Sequence, residues 1–106
     1  MSNNCIFCKI VSGEIPTDFV YQSDSVVAFK DINPEAPVHV LIVPKKHTTR
    51  YDVFLGRAAH AVAQHTGVAT TGYRLIINQG KDAHQEVEHL HMHFLGGKDL
   101  GAMIQS

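Results

Sequence analysis

The sequence predicts an α+β domain, with a five-stranded, mainly antiparallel sheet, a short N-terminal helix and one longer helix. Three observations point there. The strand-like stretches follow one another across turns, the order that hairpins give, rather than alternating regularly with helices. The run VHVLIV at 38–43 is apolar at nearly every position and reads as a central strand covered on both faces. The stretch HLHMHFL at 89–95 alternates histidine with apolar residues at period two, the period of a strand.

In chain order, residues 5–11 (CIFCKIV) read as the short helix, with Ile6 and Ile10 one turn apart. Ser12-Gly13 stops it, and Pro16 forbids its continuation. Residues 19–21 (FVY) and 25–30 (SVVAFK) are strands joined by a turn at 22–24. Residues 31–37 (DINPEAP) carry two prolines and form a loop before the central strand. Asp52 is a candidate cap for a helix over about 53–65, which four alanines favour and Gly56 weakens; Gly67 is its stop. Residues 72–78 (GYRLIIN) are a strand with Leu75 and Ile77 on one face, and 79–88 a polar loop leading into the histidine strand. That strand ends at Gly96-Gly97, which sets its histidines near a loop rim. Residues 98–106 have no periodicity and make a C-terminal tail to a single domain spanning 1–106.

Composition excludes several classes. A net charge of −1 and the lack of a basic run argue against a nucleic-acid partner. No apolar run is long enough to span a bilayer, and no secretory signal is visible, so the expected compartment is the cytoplasm. The two cysteines, Cys5 and Cys8, are spaced C-x-x-C, which in a reducing compartment suggests metal or redox work, with two reduced buried thiols as the plain alternative. No βαβ pattern surrounds them, which disfavours a thioredoxin-type redox pair.

His89, His91 and His93 share one strand face, and Leu90, Met92 and Phe94 pack into a core on the other. Adjacent imidazoles that cannot all be protonated cheaply form a metal site or a catalytic site; otherwise the strand is simply histidine-rich and exposed.

The pattern over 89–95 resembles the signature of the histidine triad superfamily of nucleotide hydrolases and transferases. CIFCKIVSGEIP, VAFKDINPEAPVHVLIVPKKH and GYRLIINQG each resemble, in the right order, the branch that contains the nucleotide-binding phosphoramidases. The resemblance implies a five-stranded antiparallel sheet, a homodimer, and cleavage at the α-phosphorus of purine nucleoside phosphoramidates or otherwise substituted AMP or GMP. By position the nucleophile is His91, which would carry the nucleotide covalently before water releases it. A neutral imidazole suits this, because it splits one hard step into two easier ones, provided that an acceptor on its other nitrogen holds the tautomer. The resemblance assigns that acceptor to a backbone carbonyl of the triad strand.

His93 resembles the member that contacts the phosphoryl oxygens or the leaving group, and His39 the fourth histidine of the family motif, against a plain reading as a satisfied core histidine. Asp31 and Ile32 resemble the ribose contacts. Phe7, Ile10, Phe29 and Leu41 resemble the base pocket, although ordinary core packing would use the same residues. Asn78 and Gln85 resemble residues near ribose and phosphate. Cys5, Cys8, His47 and His89 make a Cys2His2 set suited to a structural zinc, which some branches of the family carry. No cofactor is implied for the chemistry itself.

Three departures stand out. His84 replaces an expected glycine where the backbone would need positive φ or close approach to phosphate. Glu86 stands where many relatives hold a hydroxyl; it would repel an anionic substrate or favour a cationic amine leaving group. The stretch between His47 and Gly72 is short for the family, which bears on a helix that often lies at the dimer interface. Two other functions compete. One is a nucleotide-binding module with little turnover. The other is a metallohydrolase using His89, His91 and His93 on one ion, which a spacing of nearly ~7 Å between alternate strand residues disfavours.

Overall fold

The computed structural model describes residues 5–49 and 55–102. Helix α1 (Ile6–Ser12) leads into β1 (Phe19–Gln22), β2 (Val26–Lys30) and β3 (Val38–Pro44). Helix α2 (Gly56–Thr66) follows, then β4 (Tyr73–Ile77), a 3-10 turn (Lys81–Ala83) and β5 (Met92–Gly96). The five strands form one sheet in the order β1-β2-β3-β5-β4, every neighbour antiparallel. The expected α+β architecture is the observed one.

β3 is the middle strand, as its unbroken apolar run requires. From His39 to Pro44 every residue is buried, because a helix covers each face of the sheet there. On one face Ala58, Ala59, Val62 and Ala63 of α2, with Leu55 at its N-cap, join a core with Val40, Ile42, Leu90, Met92 and Phe94. On the other, Phe7 and Ile10 of α1 pack with Val27, Phe29, Leu41 and Val43. Burying side chains the size of Phe94 or Ile42 contributes roughly 1.5–3 kcal/mol each.

Both helices end as their glycines dictate. Gly13 and Gly67 adopt φ of 85° and 79°, a left-handed conformation that returns their N–H groups to the last-turn carbonyls. The N-cap of α1 is Cys5, whose sulfur accepts from the Cys8 N–H at 3.4 Å. The described α2 starts at Gly56, so this glycine occupies the first turn and not the helix interior; the expected cap Asp52 lies outside the described residues. Among the described residues no helix is long and apolar enough to cross a membrane.

One expectation needs correction. The histidine strand was expected from His89, but regular pairing begins at Met92, opposite Ile42. The Pro44 carbonyl accepts from the His89 imidazole at 2.8 Å, and the Leu90 N–H turns to the Thr48 carbonyl at 2.6 Å. The chain therefore leaves the ladder while keeping the in-out alternation of its side chains.

Candidate active site

That alternation sorts residues 89–94 between the two faces. Leu90, Met92 and Phe94 enter the core beneath α2, and the histidines face the side of α1. The three imidazoles then divide. His89 is fully buried beside the cysteines, His91 is buried against Phe7 with ring centroids 5.2 Å apart, and His93 is half-buried beside His39. His91 and His93 remain neighbours, with ring centroids at 5.2 Å.

Hydrogen bonds define the tautomers. The His91 Nδ1–H donates to the His89 carbonyl at 2.9 Å, which leaves Nε2 as a lone pair. The Glu35 N–H donates to His39 Nδ1 at 3.0 Å, so the proton of neutral His39 sits on Nε2 and is donated to His93 Nδ1 at 3.0 Å. Neutral His93 then carries its own proton on Nε2. Burial, followed by the nearby His91 and His39, pushes the His93 pKa below the ordinary histidine value, against the opposing pull of Asp31 and Glu35. His93 is thus biased toward the neutral form at pH 7.

The residues expected around a nucleotide fall into four groups. Asp31 meets the histidines directly, with Oδ2 3.4 Å from His39 Nε2. Asn78 lines a groove of about 340 Å³ with His93, His39, Arg74, Glu35 and Lys98. Phe7, Ile10, Phe29 and Leu41 are buried together beneath α1, while Ile32 is 89% exposed at the rim. Gln85 acts within its own loop: its oxygen accepts from the Gly80 N–H at 2.9 Å, and its amide nitrogen donates to the carbonyls of Val87 and Thr49 at 3.2 and 3.3 Å. Beside it, His84 sits at φ 59°, the only non-glycine among the described residues with positive φ. This is the conformation in which a glycine costs least.

Sequence reasoning missed the groups that orient the imidazoles. The Glu35 N–H and the Pro44 carbonyl belong to the backbone and leave no mark in residue identity. It also missed Arg74, although the alternation of GYRLIIN places Arg74, Ile76 and Asn78 on one face, opposite Leu95 and His93.

The second constellation is Cys5, Cys8, His47 and His89, whose ligand atoms all lie within 4.8 Å of one another. His89 Nδ1 stands 3.3 Å from Cys5 Sγ and 3.6 Å from Cys8 Sγ, and His47 Nδ1 is 3.2 Å from Cys8 Sγ. A tetrahedral zinc with ordinary bond lengths would set sulfur and nitrogen ligands roughly 3.5 Å apart, so this donor set fits. The His89 Nε2–H bond to the Pro44 carbonyl turns Nδ1 toward the sulfurs, as an outer partner does at metal-bound histidines. With no metal, burial pushes the Cys8 thiol up, reinforced by its hydrogen bond to Cys5 and the charge there. One ion shared by His89, His91 and His93 does not fit this arrangement. His89 presents its lone pair to the cysteines, and His91 Nδ1 is already bonded to a carbonyl.

The HIT domain profile matches residues 12–100. The chain belongs to the HIT family. The purine nucleoside phosphoramidase of Escherichia coli K12 is 45% identical over an alignment of 114 positions, which covers 98% of this chain and 96% of the enzyme. That alignment is longer than the 106-residue chain, so this HIT protein lacks residues that its relative carries. Protein HitA of Neisseria gonorrhoeae is 42% identical across 89% of the chain and 96% of its own length. Among solved structures, a HIT family hydrolase from Clostridium thermocellum superposes with a TM-score of 0.91 at 45% identity, covering 99% of this chain and all of that one. A histidine triad protein from Clostridium difficile gives 0.86 at 44% identity, covering 98% and 99%.

Proposed function

We propose that this HIT protein is a nucleotide hydrolase that cleaves at the α-phosphorus of purine nucleoside phosphoramidates or related substituted AMP. The observation that carries the reading is the His89 carbonyl on His91 Nδ1, which leaves the Nε2 lone pair of a neutral, buried imidazole as the nucleophile. In the first step His91 Nε2 bonds to phosphorus as the bond to the leaving nitrogen breaks. That nitrogen needs a proton. Solvent water supplies it, while the His93 Nε2–H donates to a phosphoryl oxygen and stabilises the charge that builds there. Water then displaces the imidazole from phosphorus and returns its proton to solvent. Nucleoside monophosphate and neutral His91 are released.

Asp31 takes the ribose hydroxyls with Ile32 beside it, and the base lies against Phe7, Ile10, Phe29 and Leu41. Asn78 contacts ribose or phosphate from the groove, while Gln85 keeps the phosphate-side loop in shape. Cys5, Cys8, His47 and His89 would hold a zinc, which ties α1 to the start of the triad segment and has no part in bond cleavage. A homodimer is supported by the edge strand β4, which leaves Tyr73, Leu75 and Ile76 exposed beside its unpaired edge.

The test is intact-protein mass spectrometry on mixing with an adenosine phosphoramidate, with AMP release followed in parallel. Wild type is expected to show a transient adduct of one AMP, and His91→Ala neither adduct nor turnover. AMP binding by wild type without adduct or turnover would leave the second reading, a binding module. That reading has one specific observation in its favour, the exposed Glu86 beside the strained His84 on the leaving-group side.

A further inference from the structure

We propose that Asp31 also positions His39, so that engagement of the ribose is transmitted to the His39–His93 pair. The inference rests on the site reading above and adds a coupling between its two halves. The Asp31 N–H donates to the His39 carbonyl at 3.0 Å, which holds the two residues in register across the β2–β3 connection. Asp31 Oδ1 accepts from the Asn33 N–H at 2.8 Å, and this anchors the carboxylate with Oδ2 directed at His39 Nε2, 3.4 Å away. Because His39 Nδ1 already accepts from Glu35, its single proton lies on Nε2, between His93 Nδ1 at 3.0 Å and Asp31 Oδ2 at 3.4 Å. That N–H donates to His93, and the carboxylate lies beside it as a charge at 3.4 Å rather than as a second hydrogen-bond acceptor.

The side chain of His39 is 3% exposed and that of Asp31 18%, so the carboxylate alone keeps an edge open to a ligand. A carboxylate that accepts two hydroxyls has less to offer a third donor. Ribose binding therefore weakens the electrostatic pull of Asp31 on the His39 proton and strengthens its hydrogen bond to His93. Among the described residues the other charged groups around the pair are Glu35, Arg74, Lys98 and Asp99 in the adjoining groove and Lys30 in a second cavity that Asp31 and His39 also line, and none of them is bonded to His39 Nε2. Metal binding by Asp31, His39 and His93 would need a lone pair on that same nitrogen, which the Glu35 N–H denies it. The consequence is that the ribose, remote from the bond that breaks, contributes to kcat as well as to binding.

The experiment uses the full chain labelled with 15N-histidine, as wild type and as Asp31→Asn, saturated with AMP or with 2′,3′-dideoxy-AMP. In wild type, AMP is expected to move the His39 and His93 ring resonances beyond their positions with the dideoxy nucleotide, and in Asp31→Asn this difference disappears. With adenosine and 2′,3′-dideoxyadenosine phosphoramidates, removing the hydroxyls or the carboxylate lowers kcat about fivefold, and removing both costs no more than removing either. Identical His39 and His93 resonances with the two nucleotides in wild type overturn the proposal, as do losses confined to KM. If wild type turns over neither substrate, the hydrolase reading fails, while the resonances still decide the coupling.

Discussion

The carbonyl of His89 receives the Nδ1–H of His91 at 2.9 Å, while the imidazole of the same His89 lies 3.3 Å from Cys5 Sγ. One residue thus joins the thiol cluster to the imidazole proposed as nucleophile. Its side chain belongs to the first and its backbone to the second. Whatever steadies His89 steadies the tautomer of His91.

Metal content follows from this link. Purified protein is expected to hold one zinc per chain, and the double variant Cys5→Ser, Cys8→Ser none. Losing the ion should lower the unfolding temperature by about 5 °C or more and slow turnover, since even ~1 kcal/mol shifts a chain of this size by that amount. Metal analysis with thermal unfolding, before and after a chelator, decides it. A metal-free protein indifferent to the chelator would mean two reduced thiols.

Stability should fall on acidification. The pKa values of both His89 and His93 are held below the ordinary 6.5, with burial the largest cause. A histidine with a depressed folded value binds its proton more readily in the unfolded chain. Its contribution is therefore complete above about 6.5 and is lost as pH falls through the folded value. Urea midpoints measured in chelator at pH 7.5 and pH 5 are expected to be lower at pH 5. Replacing His93 by Asn should shrink that difference, and an unchanged difference would remove His93 from the account.

Association should run through β4. Leu75→Lys places a charge on the edge strand at a side chain that is 42% exposed in the single chain, so folding should survive it. Sedimentation is expected to give dimers for wild type and the 11.7 kDa monomer for the variant. A wild type sedimenting as monomer rules the homodimer out.

Relief of backbone strain is expected in His84→Gly. At φ 59° a side chain costs roughly 1 kcal/mol, against which the freer glycine loses about 0.5–1 kcal/mol through the unfolded chain. The net change in urea stability should be under ~1 kcal/mol, and the informative readout is kcat/KM across amine leaving groups of increasing size. An unchanged ranking would place the His84 side chain away from the leaving group.

Local chemistry was legible in the residues themselves. Gly13 and Gly67 stop their helices because left-handed backbone favours glycine, and VHVLIV is central because only a strand covered on both faces tolerates that composition. Period two alone sorts the histidines from Leu90, Met92 and Phe94, and the positive φ at His84 is foreseeable from the glycine it replaces. The histidine segment was read too regularly, since its first three residues leave the ladder for partners at Pro44 and Thr48 that lie far away in sequence.

By itself the sequence determined the family, the sheet-and-helix inventory and the residue types gathered for chemistry, because periodicity and glycine placement act over a few neighbouring residues. Tertiary structure decided what each histidine does. An imidazole has two nitrogens and one proton when neutral, and its partners choose which nitrogen carries it: the carbonyls of His89 and Pro44, and the N–H of Glu35. Those partners are backbone groups, alike in every residue but proline's missing N–H. Only the fold brings the right one within 3.0 Å of each ring.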